Sequence, residues 1–414
     1  MKERHIMCID LKSFFASAEC IQRGLDPFTT PLVVADVSRG NGAMCLAVTP
    51  YLRDKGVPSR CRVFTLPKNI NIIYAPPRMK LYSTMSKKVV NIYKSFISEE
   101  DMNIYSIDEC FFDVTEYLNY YKMTDVELAK TMMKKVKDDL GLTSTCGIGP
   151  NLLLAKVAMD TEAKHNKDFI SKWTYEDIEK KLWELSPISK VWGIGRKFEQ
   201  KLNNLGIYKI KDMLKYNREF YIKRFGKVSG GELWNKANGI CSDTIKDLNK
   251  DSKDKSMSMS QILNKDYRCE DALIIAKEMN DMLCKQLREE KKVTGRITFG
   301  MRYSRELNKN FYDSITLSEA EDRTDKIFEY MKYIYDKMVE EDLPIRQVFM
   351  CFSRLQNKKV LQLNLFEEHN LKDEAYDRAI DKIKDKYGSS KLLRASSLLE
   401  NSTIKAREKF KNQI

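Results

Sequence analysis

Histidine is scarce: only His5, His165 and His369 are present, each isolated. Zinc clusters, His-Glu-x-x-His sites and a Ser-His-Asp triad are therefore not expected. No Cys-x-x-Cys occurs among the ten cysteines, which are scattered from Cys8 to Cys351. Several (Cys8, Cys110, Cys351) sit in apolar runs and read as buried thiols in a reducing cytoplasm. No apolar stretch approaches the roughly 20 residues needed to span a bilayer, so no membrane insertion is expected. The first residues, MKERHIMCIDLKSFF, turn polar too soon for a secretory signal. No internal repeat is visible.

What is present is charge and ample core. Hydrophobic residues make up 43% of the 414, which excludes wholesale disorder. At roughly 150 residues per domain the length predicts two or three domains. Lys plus Arg number 72 against 59 Asp plus Glu, a net +13. Such a balance favours a polyanionic partner, either nucleic acid or an anionic membrane surface.

The patterning predicts an α/β chain in several parts. A strand over 4–10 is followed by a helix over 13–23. Leu32–Ala35 and Met44–Val48 read as strands around a Gly-Asn-Gly loop. A short helix over 50–55 and a helix over 78–96, with Leu81, Met85, Val89, Ile92 and Phe96 on one face, come next. NIYSIDECFFDVT reads as a strand pair. Residues 124–140 read as a helix capped by Asp125. A strand over 143–148 and a helix over 151–159 complete this part. Short Gly-punctuated helices fill 174–240. Residues 241–256 are polar and charged, and read as a linker. Beyond it the order is β-α-β-β-α-β, as in a ferredoxin-like unit. A mixed-charge helical tail begins near Asp373.

Chemistry concentrates in acids. Asp10 ends the first strand, and Asp108-Glu109 lie in the strand pair. Neighbouring residues of a strand point to opposite faces, so the chain must turn there if both acids serve one site. A strand-end carboxylate facing an acidic pair is a Mg²⁺ site in outline. The alternative is that Asp10 caps the following helix and Asp108-Glu109 is a solvated turn. Arg53 and Lys156 could neutralise a triphosphate; taken singly, each is more often a surface charge.

CIDLKSFFASAE, YSIDECFFDVT and CGIGPNLLLAKVAMD, in that order and spacing, resemble Y-family translesion DNA polymerases. The closer resemblance is to the UmuC-type branch (ImpB/MucB/SamB), and it covers essentially the whole chain. It implies a right-hand polymerase fold of the α/β multidomain (α+β) class, and two Mg²⁺ ions. Asp10, Asp108 and Glu109 then match the metal-binding and catalytic carboxylates, with the Leu11 carbonyl as a further ligand. Phe15 matches the ring that excludes a ribose 2′-OH by clash. Phe14 stands beside it among the nucleotide-side candidates, with a core aromatic as the preferred alternative. Arg53 and Lys156 match triphosphate-binding cations, and amides around Ser13–Phe15 could hold phosphate oxygens. The sequence departs from the family pattern at Lys12, where a second acid is frequent, and at Pro50, where a Tyr is frequent; Tyr51 is adjacent.

VWGIGRKFEQKLNNLGI has the glycine spacing of a helix-hairpin-helix. Gly193 and Gly195 would point amides at a phosphate, with Arg196 and Lys197 adding charge; an ordinary helical hairpin is the alternative. In the strand 296–303, Ile297, Phe299, Met301 and Tyr303 share a buried face. Arg296 and Arg302 lie on the other, suited to DNA phosphates or merely to solubility. Gln362-Leu363-Asn364-Leu365-Phe366 resembles the pentapeptide that binds the bacterial sliding clamp (beta subunit). Leu363, Leu365 and Phe366 would be its apolar part and Gln362 its polar clip, unless the segment docks on its own domain.

The sequence thus leads to a low-fidelity, template-directed DNA polymerase of the cytoplasm that adds dNTPs to a primer 3′-OH by two-metal nucleotidyl transfer. The expected parts are a palm (1–23 and 77–170), fingers (24–76), thumb (171–240), linker (241–255), little finger (256–355), and a clamp peptide with tail (356–414). The expected partners are primer-template DNA, dNTP and the clamp, with the chain otherwise monomeric. The rivals are a catalytically silent DNA- and clamp-binding accessory protein, and a nucleotidyl cyclase.

Overall fold

The computed structural model describes residues 4–250, 255–340, 342–358, 369–388, 391–404 and 407. The chain divides into two compact units between Lys250 and Asp251.

The first unit opens with β1 (Ile6–Leu11), α1 (Phe14–Ile21), β2 (Leu32–Ala35), β3 (Cys45–Val48), α2 (Pro50–Asp54), β4 (Ile73–Ala75) and α3 (Met79–Lys94). It continues with β5 (Met102–Ile104), β6 (Glu109–Asp113), α4 (Tyr117–Tyr121), α5 (Asp125–Leu140), β7 (Ser144–Gly149), α6 (Leu152–Thr161) and β8 (Ile170–Lys172). The larger sheet has the order β5-β6-β1-β7-β8, with β1 antiparallel to both β6 and β7. A smaller sheet runs β3-β2-β4.

Alternation along β1 divides the first unit's core. Met7, Ile9 and Leu11 face the side covered by α3 and α5, whereas Ile6 and Cys8 face α6. Burying each such side chain stabilises by about 1.5–3 kcal/mol relative to exposure. On α3 the buried stripe is Tyr82, Met85, Val89 and Tyr93. The expected stripe shared only Met85 and Val89 with it, because the tyrosines carry more apolar surface inward than Leu81 and Ile92, which are only partly buried. The expected cap of α5 is also corrected. Thr124 caps the helix in a reciprocal capping box with Glu127. Asp125 is instead buried, paired with His5 and Lys172 at 2.7 Å each. Asp10 caps nothing: the N-cap of α1 is Ser13, held at φ 50° with no side-chain bond.

A helical region follows: α7 (Arg196–Asn203), α8 (Ile210–Met213), α9 (Arg218–Phe225), α10 (Lys227–Ala237) and α11 (Ile245–Leu248). Leu153, Leu154, Val157 and Ala158 of α6 pack into this region's core with Trp173, Leu202 and Tyr221. The segment 241–255 is not a linker throughout. Thr244 and Asp247 form a capping box over α11, Ile245 is buried, and Asn249 donates to the Met102 carbonyl at 3.0 Å. Its charge hid a capped turn.

The second unit comprises β9 (Met257–Tyr267), α12 (Cys269–Glu289), β10 (Lys292–Tyr303), β11 (Asn310–Glu321), α13 (Thr324–Met338), β12 (Ile345–Asn357) and α14 (His369–Tyr387). The sheet order is β11-β10-β12-β9, so each helical crossover skips one strand. Ile297, Phe299, Met301 and Tyr303 are all buried against the helices, as their spacing predicts. Helix α14 and the described residues after it belong to this unit. Arg288 pairs with Asp377 at 3.3 Å and Asp381 at 2.6 Å, and Arg394 with Asp281 at 2.8 Å. None of the ten cysteines, all among the described residues, forms a disulfide; Cys61, Cys241 and Cys351 are half-buried rather than buried. Among the described residues no helix is long and apolar enough to cross a membrane.

Candidate active site

The three acids meet through strand register. Asp10 lies directly opposite Glu109 across β1–β6, so their side chains share a face. The Leu11 amide donates to the Asp108 carbonyl at 2.9 Å. Asp108 precedes β6, in the bend where Tyr105 and Ser106 both donate to the Glu109 carbonyl. The chain thus turns where two adjacent acids require it. The Ser106 hydroxyl donates to Asp108 Oδ1 at 2.6 Å and fixes that carboxylate within the bend.

The face these acids share is walled by α6, which lies unusually close. A Cβ on Gly147 would sit 2.1 Å from the Ala155 carbonyl oxygen and 2.4 Å from the Met159 nitrogen. Only glycine permits that approach. It brings Lys156 Nζ to 2.8 Å from Glu109 and 3.0 Å from Asp160. Lys164 Nζ stands 2.7 Å from Asp10 and 2.8 Å from Asp160. Asp160 therefore bridges two ammonium groups that each hold a different candidate acid. The Cys8 thiol, two residues before Asp10, donates to Glu109 Oε1 at 3.1 Å. Lys164, Asp160, Cys8 and Ser106 escaped the sequence reading. The Lys156-x-x-x-Asp160-x-x-x-Lys164 spacing, one helical turn at each step, was the signal that could have found the first two.

The electrostatics follow from burial. Burial pushes the Asp10 carboxyl up to about 6; Lys164 opposes the rise, and Asp108 and Glu109 add to it. Burial pushes the Cys8 thiol well up, and the Glu109 charge adds to that. For Lys156, burial pulls the ammonium down, but Cys8, Asp160 and Glu109 more than reverse it. Among the described residues no group of three or more His, Cys, Asp or Glu stands in metal-holding geometry. The carboxylates turn toward lysines and toward Ser106 instead. Their donor chemistry, all oxygen, fits a hard divalent cation, and their register puts them within one site.

The nucleotide-side candidates sort by burial. Phe14 is 3% exposed and belongs to the core, so it is set aside as a nucleotide contact. Phe15 is half-buried and stacks on Tyr82, ring centroids 4.4 Å apart and 14° between planes. Tyr82 donates to Glu19 at 2.8 Å, and Glu19 also takes Arg78 at 2.6 Å and Arg23. This buried network fixes the ring's pose. Arg53 is exposed on α2. Burial lowers the Lys12 ammonium; Asp54 opposes this, and the charges of Arg53 and Lys164 add to it. Gly193 takes φ 80°, Gly195 caps α7, and Arg196 and Lys197 are exposed in its first turn. The neighbouring Trp192 donates to the Tyr105 hydroxyl at 3.1 Å, which ties this hairpin to the acidic bend.

In the second unit Arg302 is exposed and Arg296 half-exposed, on the face of β10 away from the helices. Gln362, Leu363, Leu365 and Phe366 lie outside the described residues.

Residues 9–160 match the impB/mucB/samB family, residues 175–207 the helix-hairpin-helix motif of that family, and residues 254–365 its C-terminal domain. UvrX of Bacillus subtilis (strain 168), whose name refers to UV-damage repair, is 34% identical over 95% of this chain and 93% of its own. The chain belongs to the impB/mucB/samB family. Other family relatives are named DNA polymerase IV. One from Clostridium acetobutylicum is 28% identical over 95% of this chain and 98% of its own. A solved Y-family DNA polymerase chimera (Dbh-Dpo4-Dbh) covers 85% of this chain with a TM-score of 0.68 at 20% identity, and 99% of the chimera is matched. The fold is therefore that of the Y-family polymerases.

Proposed function

We propose that this chain is a DNA-directed DNA polymerase of the translesion class, which extends a primer 3′-OH with dNTPs opposite damaged template. The observation that carries the reading is the pairing of Asp10 with Glu109 across β1–β6, with Asp108 bonded to the same strand end. A catalytically silent binding protein would have no need to keep three carboxylates together at the cost of burying Glu109 and half-burying Asp10 and Asp108. Residues 1–23 and 77–170 serve as palm, 24–76 as fingers, 171–240 as thumb and 256–355 as little finger.

The donors that would hold divalent ions, Mg²⁺ by their hardness, are Asp10, Asp108, Glu109 and the Leu11 carbonyl. Bound there, such ions supply charge neutralisation and acidify the primer hydroxyl. The chain's own residues do the rest. Lys156 and Lys164 keep Asp10 and Glu109 aligned before loading. Phe15, backed by Tyr82, presents a flat ring where a sugar would lie and rejects a 2′-OH by clash. Arg53 offers charge to a triphosphate. The hairpin at Gly193–Lys197 and the arginines of β10 hold DNA through phosphates, so binding weakens as salt rises. Gln362–Phe366 serves as the tether to a sliding clamp.

Extension of a primed template, with and without Mg²⁺ and with Asp108→Ala alongside, tests this. The wild-type chain extends with metal and Asp108→Ala does not. DNA binding without extension in the wild type would instead establish the accessory-protein reading.

A further inference from the structure

The open face of the second unit's sheet carries a pocket that phosphate contacts alone do not explain. Arg302, Asn308, Asn310, Gln347 and Phe349 line a cavity of about 340 Å³. Strand register builds it. Arg302 pairs with Asn310 on one side and with Gln347 on the other. Gly300, two residues earlier on the same face, pairs with Tyr312 and Phe349. A Cβ at Gly300 would meet Phe349 Cε1 at 2.7 Å and Tyr312 Cβ at 2.6 Å, so the Phe349 ring lies across the glycine. Tyr312 stands beside it, 61% exposed, with ring centroids 6.2 Å apart. The Gln347 amide donates to the Ser260 hydroxyl at 2.7 Å, which orients its carboxamide. No Asp or Glu occupies an outward position in the registered rows between Arg296 and Arg302.

The lining combines three kinds of group that together describe one ligand. An aromatic ring offers a stacking surface. Three carboxamides offer paired donors and acceptors at close range, as a base edge requires. A guanidinium on a face free of acids offers a phosphate contact. A base within a duplex presents no open face to a ring, so the occupant must be unstacked. We propose that this pocket binds one nucleotide of single-stranded DNA, with its base on Phe349, its edge toward Asn308, Asn310 and Gln347, and its phosphate on Arg302. The inference takes only the identity of the polymer from the polymerase reading. It assigns a site where that reading required no more than charge.

The test measures binding of the full chain to a short single strand containing 2-aminopurine, followed by fluorescence. Stacking of one base predicts that Phe349→Ala weakens binding about ten-fold. Phe349→Trp keeps a ring and restores binding, which also guards against a folding defect in the alanine variant. On a strand with an abasic site in place of 2-aminopurine, followed by the anisotropy of a terminal fluorescein that both strands carry, wild type and Phe349→Ala bind alike. Gln347→Ala lowers affinity for the base-containing strand only. Equal weakening on the abasic strand, no weakening by Phe349→Ala, or no rescue by Trp would overturn the pocket. Competition by dTMP as effective as by the oligomer would overturn the strand as its ligand. Primer extension reports separately on Asp108. Its failure with the stacking signal intact sinks the polymerase reading alone, and the converse sinks the pocket alone.

Discussion

Replacing Gly147 with alanine tests the link from backbone packing to chemistry. The new methyl would lie 2.1 Å from the Ala155 oxygen and 2.4 Å from the Met159 nitrogen, both backbone atoms of α6 that cannot rotate away. Recovering an ordinary contact of 3.4 Å from 2.1 Å means moving α6 from the sheet by about 1.3 Å, the difference of the two. Overpacking of this kind costs about 1–3 kcal/mol. For a unit of this size that corresponds to a melting temperature lower by roughly 2–10 °C. The same displacement carries Lys156 away from Glu109, a contact of 2.8 Å. Misplacing a site element by about 1 Å costs about 10²-fold in rate. Gly149→Ala, whose nearest clash is 2.6 Å with the Ala155 nitrogen, forces a smaller move and should be the milder variant. Steady-state primer extension and thermal melting, measured on both variants below their melting temperatures, give the comparison. Wild-type turnover by Gly147→Ala would refute the claim that this close approach positions the site.

Three further outcomes follow from the same geometry. Phe15→Ala removes the ring that stacks on Tyr82, and single-nucleotide incorporation assays should show ribonucleotide discrimination falling at least about ten-fold, with unchanged discrimination against it. Glu19 is buried, which raises its carboxyl, but bonds from Arg78, Arg23 and Tyr82 more than offset this and hold it below its ordinary 4.5. Its stabilisation is therefore complete above pH 4.5 and lost as pH falls through the depressed value. Glu19→Gln should cost about 3 kcal/mol at pH 7 by chemical denaturation, with the gap to wild type closing as pH falls below 4.5. Gly42 has open space around it, so Gly42→Val should leave stability within about 0.5 kcal/mol. If the small residues of this loop leave room for a distorted template base, the substitution should reduce extension past a bulky lesion more than extension on undamaged template; equal losses would count against that role.

The acids were legible through the resemblance that CIDLKSFF and YSIDECFF carry. The strand-end and turn pattern alone favoured a helix cap at Asp10 and a solvated turn at Asp108-Glu109. The elements of the second unit were legible from pattern itself: period-two and period-3.6 patterns lie in long uninterrupted runs. What escaped depends on contacts between distant residues. The spacing from Lys156 through Asp160 could have linked Lys164 to Asp160 but not to Asp10, which lies on another element, and nothing near Tyr82 marks it as the support for Phe15. Local signals were also misjudged. Asp125 looked like a cap until Thr124 and Glu127 took both halves of the box. The lysines of 246–255 concealed the Thr244–Asp247 box that starts α11.

Helix α6 has no idle side. One flank lies on the strands that bear the acids, the other is the floor of the helical region, and its one long basic side chain, Lys156, reaches Glu109. A substitution there disturbs the packing of the sheet, the placement of the candidate acids and the core of the helical region at once. Change that leaves this hub untouched is confined to exposed stretches such as 38–42.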